Sequence, residues 1–257
     1  MDVRRITTLT ALALSVVIMA FAVAPEGRST TWSCAAVLGS EVCTWVVTES
    51  GSAVELGATI PMSLIEDVPL DAEMVWPPEQ LAMIALPPEA RESLGIDHLG
   101  VNWEAHGHPP ASFLVPHFDF HFYNLSEAEV EAIDCSDETK PGTLPATYTL
   151  PDIDIPDMGV LVGLCVPHMG MHAMPDEMIA RTVPFEASMI LGYYGGEPVF
   201  LEPMISRARL LQKSDFTLAV PVVENLPAGV RYPTVFRAEY DEAGMQYRMS
   251  FTGFHSE

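Results

Sequence analysis

The chain has 257 residues, 49% of them hydrophobic, which argues against intrinsic disorder and supplies ample material for a core. Only 12 Lys and Arg stand against 35 Asp and Glu, a formal net charge of −23, and a surface of that sign repels phosphate backbones and argues against nucleic-acid binding. The 22 prolines and 17 glycines favour short elements joined by turns over long helices.

The N-terminus reads as an export signal. Arg4 and Arg5 form a basic start, residues 9–24 an uncharged apolar run, and Ala22 and Ala24 a small-residue exit before Pro25. That run is short for a spanning helix, and no later run reaches ~18 apolar residues. The expectation is a signal peptide over 1–24, a secreted or periplasmic destination, and no stable membrane insertion after cleavage, with an uncleaved anchor as the alternative. Residues 25–257 read as one β-rich domain whose first part, 25–53, is an N-terminal extension. Four cysteines in an exported chain are expected to pair, and proximity favours Cys34 with Cys43 and Cys135 with Cys165.

In chain order, 42–48 is β-rich, and Gly51-Ser52 turns into a second strand over 53–61. A short helix is predicted over 89–94, a strand over 99–103, and a loop over 104–110 because of its Gly and paired Pro. The clearest strand is 116–123. Ser126 and Glu129 have capping-box spacing and open a short helix to about residue 133. Residues 134–157 read as a long exposed loop and 160–166 as a buried strand. Two hairpins close the chain, 185–194 with 199–201 around Gly195-Gly196, and 234–240 with 245–254. The fold class predicted is mainly β, an antiparallel sandwich or barrel with one or two short helices.

The densest chemistry is Pro116-His117-Phe118-Asp119-Phe120-His121-Phe122-Tyr123. Side chains alternate along a strand, so Phe118, Phe120 and Phe122 share a core-facing side while His117, Asp119 and His121 share the other. A carboxylate between two imidazoles points to a divalent-metal site. Neighbours at i and i+2 lie ~6.5–7 Å apart and the two histidines ~13 Å apart in a regular strand. Ligand bonds of ~2.0–2.2 Å cannot join both histidines to one ion without a bulge. The strand therefore donates His117 with Asp119 or Asp119 with His121, unless Asp119 only orients a histidine. Further donors are available from His168 and His172, from Glu202, and from His106 and His108. Such a set suits Zn first, with Mn, Fe, Ni or Cu as the other choices. A blue-copper reading of Cys165, His168 and the following methionines is the rival, and it requires a reduced Cys165. No Gly-x-Ser-x-Gly elbow, P-loop or dinucleotide fingerprint is present.

Several motifs carry a family resemblance: Asn102-Trp103 with Gly107-His108-Pro109, the 116–123 string, Val166-Pro167-x-Met169-Gly170-x-His172, Gly192-x-Tyr194, and Phe200-x-Glu202-Pro203-Met204-Ile205. These resemble a family of exported bacterial proteins of unknown function, typified by a Thermus secreted protein under extracytoplasmic (sigma-E) sigma-factor control. The resemblance implies a β-rich fold and a ring-like homo-oligomer, and it covers roughly residues 54–254. Its motifs match His108, His117, Asp119, His121, His172 and Glu202, and leave His106, His168 and Cys165 outside. Combined, these readings make His117, His121 and His172 the leading ligands. Asp119 and Glu202 are then a fourth ligand or the catalytic acid/base, and His108 a pocket wall or further ligand. The function expected is an exported divalent-metal-binding protein, extending to a metal-dependent hydrolase or lyase acting on an unidentified small molecule. The alternatives are a non-enzymatic oligomeric envelope protein and a cupredoxin-like copper protein.

Overall fold

The computed structural model describes residues 27–155 and 159–254, and the signal sequence read at 1–24 lies outside the described residues. Fifteen strands and five short α-helices follow in order. They are β1 (Arg28–Val37), β2 (Ser40–Glu49), β3 (Ser52–Pro61), α1 (Met62–Asp67), β4 (Gln80–Ala85), α2 (Pro88–Leu94), β5 (His98–Glu104), β6 (His117–Tyr123), α3 (Glu127–Glu131), β7 (Tyr148–Thr149), β8 (Ile153–Ile155), β9 (Gly159–Leu161), β10 (Met171–Pro175), α4 (Asp176–Ala180), β11 (Ala187–Tyr194), β12 (Glu197–Ser206), α5 (Arg207–Leu210), β13 (Phe216–Ala219), β14 (Val235–Asp241) and β15 (Gln246–Thr252).

Two open antiparallel sheets form a sandwich. One has six strands in the order β1-β2-β3-β15-β14-β13, the other seven in the order β4-β5-β6-β12-β11-β10-β7, and β8 pairs only with β9. Within the segment 25–53, expected to be an N-terminal extension, lie β1 and β2 of the first sheet. The sheets meet through alternate side chains: Leu99 and Val101 of β5, Phe118, Phe120 and Phe122 of β6, and Leu201 and Ile205 of β12 pack against Val46, Leu56, Phe236 and Phe251. Phe122 meets Phe251 edge to face at 5.0 Å across the interface. Each such side chain is worth ~1.5–3 kcal/mol on burial, so this layer fixes which way β6 faces.

Both disulfides expected from proximity are present, Cys34–Cys43 across the β1–β2 hairpin and Cys135–Cys165. The capping box at Ser126 and Glu129 is formed in both directions. Among the described residues, no helix is long and apolar enough to cross a membrane.

Three local expectations are corrected. Residues 160–166 are not a buried strand: Val160 is 58% exposed on β9, and Val162–Leu164 is a 3-10 turn. Gly163 takes φ 60° there, and its N–H is bonded by the Asp152 carboxylate, so the apolar run folds over the second sheet instead of joining it. The loop predicted over 134–157 contains β7 and β8. Glu104, placed in a loop by the Gly and Pro that follow it, is the last residue of β5.

Candidate metal centre

The second sheet has two covered faces. One belongs to the sandwich core. The other carries His98, Gly100, Asn102 and Glu104 from β5, His117, Asp119, His121 and Tyr123 from β6, Phe200 and Glu202 from β12, and His172 from β10. The β5–β6 ladder sets this up, with Asn102 opposite Asp119 and Glu104 opposite His117. Every residue of β6 is buried, because the segments between β5 and β6 and between α3 and β10 close over its polar side. A small apolar layer of Phe113, Leu164, Met174, Phe185, Ile190 and Met204 seals that cover beside the polar residues.

Six donors gather into two groups of three, His108–His117–Asp119 and His121–His172–Glu202, with the ligand atoms of each group within 4.8 Å of one another. In the first, His117 Nε2 lies 3.2 Å from His108 Nε2 and 3.3 Å from Asp119 Oδ1. In the second, Glu202 Oε2 lies 3.6 Å from His121 Nε2 and 3.9 Å from His172 Nε2. The strand therefore splits its donors as its pleat requires: His117 and Asp119 serve one group, His121 the other. His106 is turned away, its Nε2 at 3.0 Å from the Ala72 carbonyl, and exposed His168 bonds the Glu131 carbonyl. Cys165 is in a disulfide, so the blue-copper arrangement lacks its thiolate.

Backbone carbonyls set the histidine tautomers. Nδ1–H donates to Val115 O at 2.7 Å in His117, to Pro109 O at 2.8 Å in His108, and to Leu164 O at 3.0 Å in His172. A carbonyl can only accept, so each Nδ1 carries the proton and each Nε2 presents a lone pair to the cavity. The Gly107 conformation (φ +68°) makes the first of these contacts fit. A Cβ there would stand 2.0 Å from Phe113 O and 2.5 Å from Val115 N, so only glycine lets this loop approach the Val115 segment. Gly192 plays a similar part under the second group. A Cβ at that position would meet the Phe200 ring at 2.1 Å, the same ring that packs 4.8 Å from His121 and 5.1 Å from His172.

Among the six donors, four buried atoms have no hydrogen-bond partner among the described residues: Asp119 Oδ1, both ring nitrogens of His121, and Glu202 Oε2; His98 Nε2, Asn102 Oδ1 and Tyr123 Oη on the same face are unpartnered too. Orphaned buried polar atoms cost ~1–3 kcal/mol each and call for a ligand or strain to explain them. Two ligands ~2.0–2.1 Å from a tetrahedral ion stand about 3.3 Å apart. The first group's 3.2 and 3.3 Å match that spacing, and the second group is slightly wider. The residues fit a divalent ion.

The electrostatics agree. Burial holds His117 and His121 well below the ordinary imidazole value, lowers His108, and brings His172 to about 4, so all four are neutral ligands at pH 7. Burial first, then the neighbouring carboxylates, pushes Asp119 up, and burial followed by Glu104 does the same to Glu202. Glu104 itself is raised by burial to about 7. Sequence reading missed it as a site residue. The signal was the alternation His98-Leu99-Gly100-Val101-Asn102-Trp103-Glu104, whose polar members share the face of Asp119. With Glu104, His108, Asp119, His172 and Glu202 in its wall, the cavity has a volume of about 70 Å³, room for a few water-sized groups.

A pH dependence follows. For Glu104 the folded value lies above the unfolded 4.5, so its contribution to stability is full below 4.5 and lost as pH rises through about 7. At pH 6.5 the unfolded imidazoles are still half protonated, which opposes the carboxylates; from about pH 7.5 upward they are neutral in both states, leaving Asp119 and Glu202, both pushed up by burial, to set the slope. Chelator-treated protein is expected to melt at a lower temperature at pH 9 than at pH 7.5, with an added divalent ion reversing the loss. A melting temperature that is flat or rises with pH would contradict this.

Comparison of the chain with protein-family models, with curated proteins and with solved structures found no match.

Proposed function

We propose that this chain is an exported protein that binds a divalent metal ion, zinc in the first instance, in the cavity on the outer face of its seven-stranded sheet. One observation carries the reading. His108 and His117 each use Nδ1–H on a backbone carbonyl and turn their Nε2 lone pairs toward each other at 3.2 Å, with Asp119 Oδ1 a third acceptor at 3.3 Å from His117. Three acceptors converging in a buried place repel unless a cation stands between them. The two disulfides support export, and all six donors fall in the motifs that resemble those of the exported bacterial family.

Three protein ligands leave a tetrahedral ion one open position, the pattern of catalytic rather than structural zinc. Such an ion would activate water or polarise a carbonyl or phosphoryl group. Around it, Glu202 is placed to hold or move a proton, and Glu104 reaches both this cavity and an outer cleft lined by Trp103, His106 and Gly107. The activity proposed is metal-assisted hydrolysis or hydration of a small molecule. A homo-oligomeric envelope role is the second reading, favoured by the exposed apolar run Leu70, Met74, Val75 and Trp76.

Metal analysis of protein purified without chelator tests the first reading. Near-stoichiometric zinc, manganese, iron or nickel is expected, with melting raised on reloading the stripped protein. Substoichiometric metal under every supply, and no shift in melting, would overturn it.

A further inference from the structure

We infer that the cavity binds two divalent ions side by side, one in His108–His117–Asp119 and one in His121–His172–Glu202. This rests on the metal reading above and deepens it. The decisive feature is the regularity of β6. Its ladder with β5 runs without interruption from His98↔Tyr123 to Glu104↔His117, so no bulge brings His117 and His121 together. In a regular strand they stand ~13 Å apart at Cα, and no single ion reaches both with bonds of ~2.0–2.2 Å. The six donors cannot share one ion.

The second group also has its own unmet demand. Both ring nitrogens of His121 and Glu202 Oε2 are buried without a partner among the described residues, and His121 Nε2 stands 3.6 Å from Glu202 Oε2. An ion in the first group leaves all three unsatisfied. The β6–β12 ladder opens where this demand arises: its pairs run Phe200↔Tyr123, Leu201↔Phe122 and then Met204↔Asp119. The gap falls at Glu202-Pro203, where proline has no N–H to donate.

Charge points the same way. Asp119, Glu202 and Glu104 line the cavity, and no Lys or Arg does so among the described residues. One dication leaves three ionised carboxylates a net negative charge in a buried place. Two dications leave one positive charge, which suits a small anion such as phosphate or a carboxylate as the further ligand. Asp119, which belongs to the first group, lies between His117 and His121 along the strand.

The test is metal stoichiometry of the stripped and reloaded full chain, using Mn(II) alone as the probe. Two ions per chain are expected, each broadening the other's paramagnetic resonance signal. Replacing His121→Asn or His117→Asn should each leave one ion, with the circular dichroism spectrum of the parent. One ion per chain in the parent would overturn this inference and leave the metal reading intact. No Mn(II) bound would overturn this inference, and no zinc bound either would overturn the metal reading with it. Two ions with the signal of isolated Mn(II) would show that they do not share the cavity, and would also overturn it.

Discussion

His117→Ala is expected to weaken zinc binding by at least on the order of 100-fold, since even loss of a partner that only orients a ligand costs 10–100-fold. His117 is the hub of the first group: its Nε2 is the atom within 3.2 Å of His108 and 3.3 Å of Asp119, and its Nδ1 is fixed by Val115 O at 2.7 Å. Truncation removes a ligand and leaves only His108 and Asp119 in the first group. The residue has no hydrogen bond to the sandwich core, whose layer is formed by Phe118 and Phe120 on the opposite side of the strand. Folding should therefore survive, at the cost of a cavity the size of an imidazole. Titration calorimetry on the chelator-treated variant measures the effect. Unchanged zinc affinity would remove the first group from the metal centre.

The second large effect concerns the Cys135–Cys165 disulfide. It closes 30 residues of chain, and loop-closure entropy assigns such a cross-link about 3.5 kcal/mol. Its position adds a functional consequence. Cys165 follows Leu164, whose carbonyl accepts from His172 Nδ1–H at 3.0 Å and so aims Nε2 at Glu202. Freeing this segment loosens the carbonyl and with it the imidazole. The double variant Cys135→Ala with Cys165→Ala should lose about 3.5 kcal/mol of unfolding free energy and roughly tenfold in metal affinity. The Cys34–Cys43 bridge closes only 9 residues on the far sheet. Its removal should cost about 2.5 kcal/mol and leave metal binding unchanged. Denaturant unfolding and calorimetry on both variants check the contrast. Equal effects on metal affinity would mean that the disulfide acts only through overall stability.

Much of this could be read from residue types and their alternation. Period-two patterning marked β6, separated its phenylalanines from its His-Asp-His side, and showed from strand rise that the two histidines could not share an ion without a bulge. Spacing sufficed for both disulfides, and Ser126 with Glu129 for the start of α3. These are local properties: the pleat, the turn and the cap act within a few residues and leave their marks in the order of the chain.

What lay beyond the sequence depends on contacts between distant segments. The apolar run at 160–166 looked like a core strand, but Gly163 and the Asp152 carboxylate fold it across the sheet as a cover. Glu104 looked like loop because glycine and proline follow it, yet pairing with His117 makes it strand and cavity wall. His108 and His168 both lie on loops. One meets His117 because Gly107 lets its loop pass against Val115, and the other bonds a carbonyl at the surface. The sequence by itself determined the strand, its two faces and the donor types. Only the tertiary structure decided that those donors divide into two groups of three, because strand order and register, not chain order, bring β10 and β12 beside β6.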